Sequence, residues 1–241
     1  MRCGALPMAE RGTQPTQTSS SFAEDVSSVT PVPPDMLHIT LYTLAQGTVL
    51  HRVHLSKYGA EQFNPGGQGN ARFSPIHTDE GQPIPTLYGG TTMDCALMET
   101  VFHDVPHTAG FKSFDKSKLI DQVYSRLKVS RPLQLIDLAS VPLRKLGVTR
   151  KQLIDTEKNQ YPATRKWAKA IHHQCPEAQG LSWISRQDDS ARAMMLFGDR
   201  TPKHALRLQG TSCHLLDDGR NYDAVLNLAE RIGVSIVPGM S

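Results

Sequence analysis

Thr86 to Asp104 reads TLYGGTTMDCALMETVFHD, and the two glycines in it divide a strand from a helix. A short apolar run reaches Tyr88, Gly89-Gly90 breaks it, and two threonines follow. Thr91 or Thr92 suits a helix N-cap, with Asp94 in the first turn where the helix dipole favours an acid. Cys95, Met98 and Phe102, together with Leu97 and Val101, recur at helical spacing and predict one apolar face. Glu99 sits among them, where a core helix would carry another leucine. Periodicity leaves two readings open, a carboxylate facing a pocket or a helix-surface residue, because the 95/98/102 face does not include 99.

Upstream, MLHITLYTL and TVLHRVHL (residues 48–55) have the β-branched and aromatic content of strands. The segment KYGAEQFNPGGQGNARFSP between them and the opening stretch is a Gly/Asn/Pro loop leading to Arg72. Downstream, DQVYSRLKVS and PLQLIDL predict two strands around Arg131-Pro132, and VTRKQLID starts a helix. YPATRKWAKAIHHQCP is an amphipathic helix opened by Pro162 and closed before Pro176. GLSWISR and ARAMMLF follow as short strands joined by QDDS, then a helix in YDAVLNLAERIG and a last strand in VSIVP. Short mixed strands with helices between them predict α+β, not an alternating parallel sheet.

Residues 1–35 are rich in Ser, Thr, Gln and Pro and end TPVPPD, which predicts a flexible tail ahead of one domain over 36–241. No window approaches the ~18 apolar residues of a membrane span, and no signal-peptide core precedes the charges of the N-terminus. A cytoplasmic location is expected. Cys3, Cys95, Cys175 and Cys213 are widely spaced, which fits free thiols rather than a disulfide framework or a zinc site. The formal net charge of +3 comes from scattered basic residues, so composition gives no case for direct nucleic-acid binding.

Phosphate-cradling and dinucleotide glycine motifs, H-E-x-x-H and G-x-S-x-G are all missing. His103 and His107 lie four apart, but Pro106 between them disrupts the helical turn that chelation would use. Of the adjacent His172 and His173, the helix turns one inward and leaves the other wet. Judged singly, the GGQGNARF loop, Tyr88 and Ser185 are ordinary loop and core features.

Taken in order, Arg72 after a Gly-rich loop, Tyr88 at a strand end, Glu99 on a helix and Ser185 at a later strand end form a set. The pattern RFSP…LYGGTT…CALMETVFHD…GLSWISR…MMLF closely resembles the RES domain family, over roughly residues 48 to 200. The connection from Arg72 to Tyr88 is longer than in compact members of that family. The resemblance implies a core similar to ADP-ribosyltransferases, of short mixed strands with surrounding helices. It implies a toxin of a bacterial toxin–antitoxin pair that consumes NAD+.

By motif match, the family's site residues fall on Arg72, Tyr88, Glu99 and Ser185, with Arg52 as a further arginine on the substrate side. The resemblance implies an NAD+ phosphorylase that takes inorganic phosphate as co-substrate, with no other cofactor and no metal. The alternatives are an ADP-ribosyltransferase modifying a protein, or a non-catalytic module that keeps the fold. The implied partner is a helical antitoxin related to Xre-type DNA-binding proteins. The state is either a homo-oligomer or a toxin–antitoxin complex, and delivery into another cell is left open.

In such a site a carboxylate near the ribose would stabilise the cation-like centre formed as nicotinamide leaves, and Glu99 is the candidate. Tyr88 would stack on the nicotinamide, Arg72 would fork onto the diphosphate or the incoming phosphate, and Ser185 would donate to a ribose or phosphate oxygen.

Overall fold

The computed structural model describes residues 28–67 and 69–239. Its strands are β1 (Leu41–Leu44), β2 (Val49–Leu55), β3 (Thr86–Gly90), β4 (Lys112–Asp115), β5 (Gln122–Val129), β6 (Leu133–Asp137), β7 (Gly180–Ile184), β8 (Arg192–Phe197), β9 (Leu206–Leu208), β10 (Cys213–His214) and β11 (Val234–Val237). The helices are α1 (Met93–Thr100), α2 (Ser140–Leu146), α3 (Arg150–Leu153), α4 (Tyr161–Gln174) and α5 (Gly219–Arg231). This is the α+β architecture that the strand and helix pattern predicts.

One sheet runs in the order β1-β6-β7-β8-β3-β2-β5-β10, with β9 also on β5, and β4 pairs with β11 in a small second sheet. Every neighbour in the large sheet is antiparallel except β6 and β7. A parallel pair requires a long crossover, and α2, α3 and α4 supply it. The central strand β8 is buried along nearly its whole length, which suits its apolar RAMMLF run.

The seam between β3 and β2 is different. β3 pairs over five residues with β8, and β2 over seven with β5, yet β2 and β3 share only His51 with Gly90. Past that pair the strands part. The backbone of Asn64 takes the place of β2, donating to Thr86 O at 2.8 Å and accepting from Thr86 N at 3.2 Å. A loop thus wedges the sheet open.

Three apolar clusters fill the interior. One lies under α4 around Trp167 and Trp183, one joins α1 to α5 around Leu97 and Val225, and one lies around Leu50, Leu127 and Leu196. Helix α1 stands between the first two, so Cys95, Ala96, Leu97 and Met98 are all buried in succession. The helix is shorter than its sequence spacing predicts: it ends at Thr100, and the fully buried Phe102 lies just beyond. Thr92 is the N-cap, its hydroxyl accepting from Cys95 N at 3.0 Å.

Residues 1–27 of the expected tail lie outside the described residues. Its C-terminal end is corrected, because residues 30–34 are docked on the α3–α4 side. Trp167 Nε1 donates to Pro31 O at 2.6 Å, Thr30 Oγ1 to Gln152 O at 2.5 Å, and Gln174 Nε2 to Pro34 O at 3.3 Å. A Pro-rich segment can pack when helix side chains satisfy its free carbonyls, which composition alone does not register. The histidine pair of α4 divides as expected. The side chain of His172 is 12% exposed and bonded to Asp199, while that of His173 is 70% exposed.

Gly90 has no room for a side chain. A Cβ there would lie 2.8 Å from Cys95 Sγ and 3.0 Å from Cys95 Cβ. Gly90→Ala must therefore push β3 off α1, and we expect a loss of about 1–3 kcal/mol of stability from overpacking, measured by urea unfolding. An unchanged midpoint would mean that the strand–helix junction is looser than its geometry.

Candidate active site

The wedge leaves a cavity of roughly 440 Å³ between β2, β3 and α1, within the range of small-molecule sites. Arg52, Arg72, Tyr88 and Glu99 all line it, so four of the five residues singled out in the sequence meet there. Ser185 does not. It is fully buried behind Glu99, and its hydroxyl donates to Glu99 Oε1 at 2.7 Å. The serine Oγ in turn accepts from Gln187 N at 3.0 Å and Asp188 N at 3.2 Å. A hydroxyl so engaged has no proton left for a ribose or phosphate oxygen. Its expected substrate contact is replaced by a hold on the carboxylate.

Glu99 is half-buried, and Ser185 fixes Oε1 while Oε2 has no partner among the described residues. Asp188 from the same β7–β8 turn reaches back to Thr92, whose Oγ1 donates to its Oδ2 at 3.4 Å. The turn therefore touches α1 at its cap and at its carboxylate.

Arg72 is 4% exposed, with its guanidinium 5.8 Å from the centroid of the Tyr161 ring. Its backbone is held from α4: Thr164 Oγ1 donates to Arg72 O, and Arg165 Nε donates to Ala71 O at 3.1 Å. Yet Arg72 Nε and Nη2 are buried without a partner among the described residues, as is Trp183 Nε1. Unmet buried donors, charged ones above all, are costly, so a site that keeps them is suited to a ligand rich in acceptors.

Tyr88 offers part of its ring to the cavity while its hydroxyl end is surrounded by protein and donates to Ser74 Oγ at 3.1 Å. Burial pushes its phenol up to about 12, against smaller opposing pulls from that hydrogen bond and from Arg72. It acts as a neutral aromatic wall. Trp183 packs edge-on against it with ring centroids 6.4 Å apart. Arg52 is more committed than expected: Nη1 donates to Ala60 O at 2.6 Å and Gln62 O at 2.9 Å, which ties the loop after β2 to its strand. Burial lowers its pKa to about 10, leaving it charged at neutral pH.

Several lining groups were not assigned to this site from the sequence. His103 lines the cavity one turn past Glu99, with Nδ1 2.9 Å from Asp104 Oδ1 and Nε2 3.3 Å from the Tyr161 hydroxyl. Lys158 Nζ lies 2.7 Å from the same Asp104 oxygen. The i+4 spacing from Glu99 to His103 was the available signal. His51 and His54 line the β2 wall, with His54 Nε2 2.8 Å from Ser125 Oγ. Among the described residues no three His, Cys, Asp or Glu side chains are grouped to hold a metal ion, and no helix is long and apolar enough to cross a membrane.

Residues 49–216 match the family model of the RES domain, and a comparison with curated proteins finds no match. The matched span is more than half of the chain and contains all five residues read from the sequence, so the chain belongs to the RES domain family. At the level of the family this carries a toxin-type, NAD-related role and an association with toxin–antitoxin pairing.

The β2 wall has a pH signature. Burial holds the His54 imidazole below its usual 6.5, with Arg52 adding to the effect, and burial does the same for His51. Between the lowered value and 6.5 the unfolded chain binds more protons, so stability is present above about 6.5 and is lost as pH falls below it. Urea unfolding between about pH 7 and about pH 5 should show this decline, and His54→Gln should flatten it. An equal slope in the variant would mean that His54 titrates as freely as in the unfolded chain.

Proposed function

We propose that this RES-domain protein is a toxin that cleaves NAD+ at the nicotinamide–ribose bond. It acts as an NAD+ phosphorylase, with inorganic phosphate as co-substrate and nicotinamide and ADP-ribose-1-phosphate as products. The observation that carries the reading is the Glu99 carboxylate, fixed through Oε1 by a buried serine at the wall of a cavity shared with Tyr88 and Arg72.

The chemistry fits those groups. As the glycosidic bond lengthens, its electron pair moves to the nicotinamide ring and quenches the ring's positive charge. Positive charge then develops on the ribose, where the free Oε2 of Glu99 can bond to hydroxyls and stabilise it. A phosphate oxygen attacks the anomeric carbon and completes the exchange. Phosphate is already an anion at neutral pH, so no strong base is required of His103 or any other group.

The neutral ring of Tyr88 offers a stacking face for nicotinamide. The two unpartnered donors of Arg72 match the acceptors of a diphosphate or phosphate, and the match gives them the bonds they lack. An enzyme that drains NAD+ harms its own cell, so the reading implies a protein inhibitor. An Xre-type antitoxin covering this cavity is the proposed partner.

Release of nicotinamide from NAD+ by the purified chain should be stimulated by inorganic phosphate, and Glu99→Ala should lower it by about 10²- to 10³-fold or more. Turnover indifferent to phosphate but dependent on Glu99 would turn the assignment toward ADP-ribosyl transfer or hydrolysis. Silence of both proteins after removal of any bound inhibitor would leave a binding module.

A further inference from the structure

Ser185 can aim Glu99 only if its own backbone is held, and the sheet does not hold it from both sides. Pairing of β6 with β7 ends at Asp137 and Ser182, so beyond Ser182 that edge of β7 has no strand beside it. Ile184 and Ser185 lie past this point. Their two consecutive carbonyls are taken instead by one side chain from a different part of the chain. Arg150 Nη1 donates to Ile184 O at 3.0 Å and Nη2 to Ser185 O at 3.1 Å.

The third side of the fork is also fixed. Arg150 Nε donates to Asp155 Oδ2 at 3.0 Å, and Asp155 N returns to Arg150 O at 3.0 Å. Arg150 opens α3, which begins with a capping box in which Thr149 and Gln152 satisfy each other's backbone donors. Its guanidinium is therefore a planar bracket with three acceptors at set angles, a geometry that a lysine ammonium cannot reproduce.

We propose that Arg150 is a positioning residue for the phosphorylase reaction and acts through Ser185 on Glu99. It does not line the cavity and touches no substrate. It fixes the exit of β7, the exit fixes the Ser185 hydroxyl, and the hydroxyl fixes Oε1 of Glu99. An error of a fraction of an ångström at the carboxylate is felt in the bond-breaking step more than in NAD+ binding. The inference rests on the phosphorylase reading above.

The test is a double-mutant cycle on nicotinamide release. Arg150→Gln should lower kcat about tenfold while KM for NAD+ stays within about twofold. Arg150→Lys, which reaches one carbonyl at a time, should recover part of the loss. In a Ser185→Ala background Arg150→Gln should have no further effect, because the group that it positions is gone. Equal losses in both backgrounds, or a change confined to KM, would overturn the assignment and leave Arg150 as an ordinary structural contact. Thermal melts accompany each protein, and if Arg150→Gln does not fold, Arg150→Lys carries the same cycle. A wild-type chain that releases no nicotinamide sinks the phosphorylase reading and this inference with it. An active wild type beside an indifferent Arg150→Gln sinks this inference alone.

Discussion

The single residue pair between β2 and β3 is the constraint on which the site depends. A sheet paired along its whole length has no interior opening, since adjacent strands lie only about 5 Å apart. Here the ladder fails after His51 and Gly90, and the chain between β2 and β3 enters the gap. Arg72 and Ser74 come from that entering chain, Arg52 from one lip of the split and Tyr88 from the other. The residues are far apart in sequence, but one fault in the hydrogen-bond ladder gathers them.

Glu99 reaches the same place by a different route. Its helix is buried on two sides, against the α4 cluster through Cys95 and against the α5 cluster through Leu97, so the carboxylate emerges along the narrow strip left between them. That explains why one apolar face did not describe α1. A helix with two partners has two faces, and the residue between them is neither core nor surface. Burial on both sides also pushes the neighbouring Cys95 thiol up to about 12, with Glu99 and Asp188 adding to the effect, so the thiol is inert at neutral pH.

Much of this was legible where the cause is local. The cap at Thr92, the break at Gly89-Gly90 and the apolar runs of β2, β5, β6, β7 and β8 all announce themselves within a few residues. Helix α2 hid behind Pro142, which the first turn of a helix accommodates. Its end at Gly147, in the left-handed region at φ 73°, was the signal that could have found it. The short strands β4, β9 and β10 carry too few residues to show a period of two.

That Arg52, Arg72, Tyr88 and Glu99 would line one cavity was legible as a set of residue types, but what each of them touches was not. Nothing local distinguishes a serine that bonds substrate from one that holds a glutamate 86 positions away, because the difference lies in which acceptor the fold brings near. Trp183 and Arg150 escaped notice for the same reason, and His103 was weighed only as a metal ligand.

The docked segment at residues 30–34 bears on how far the family's shared part stands alone. The matched residues begin at 49 and stop at 216. Outside them lie β1, which closes the free edge of β6, and α5, which backs α1 and ties it through Arg231 Nη1 to Asp94 Oδ2 at 2.5 Å. Pro31, whose carbonyl satisfies the Trp167 indole, also lies outside. Trimmed to the shared span, the chain would keep every cavity residue and still uncover a tryptophan, a strand edge and the back of the helix that carries its carboxylate. In this member the flanks are a shell around the common part, and that shell is what would keep it from sticking to its neighbours.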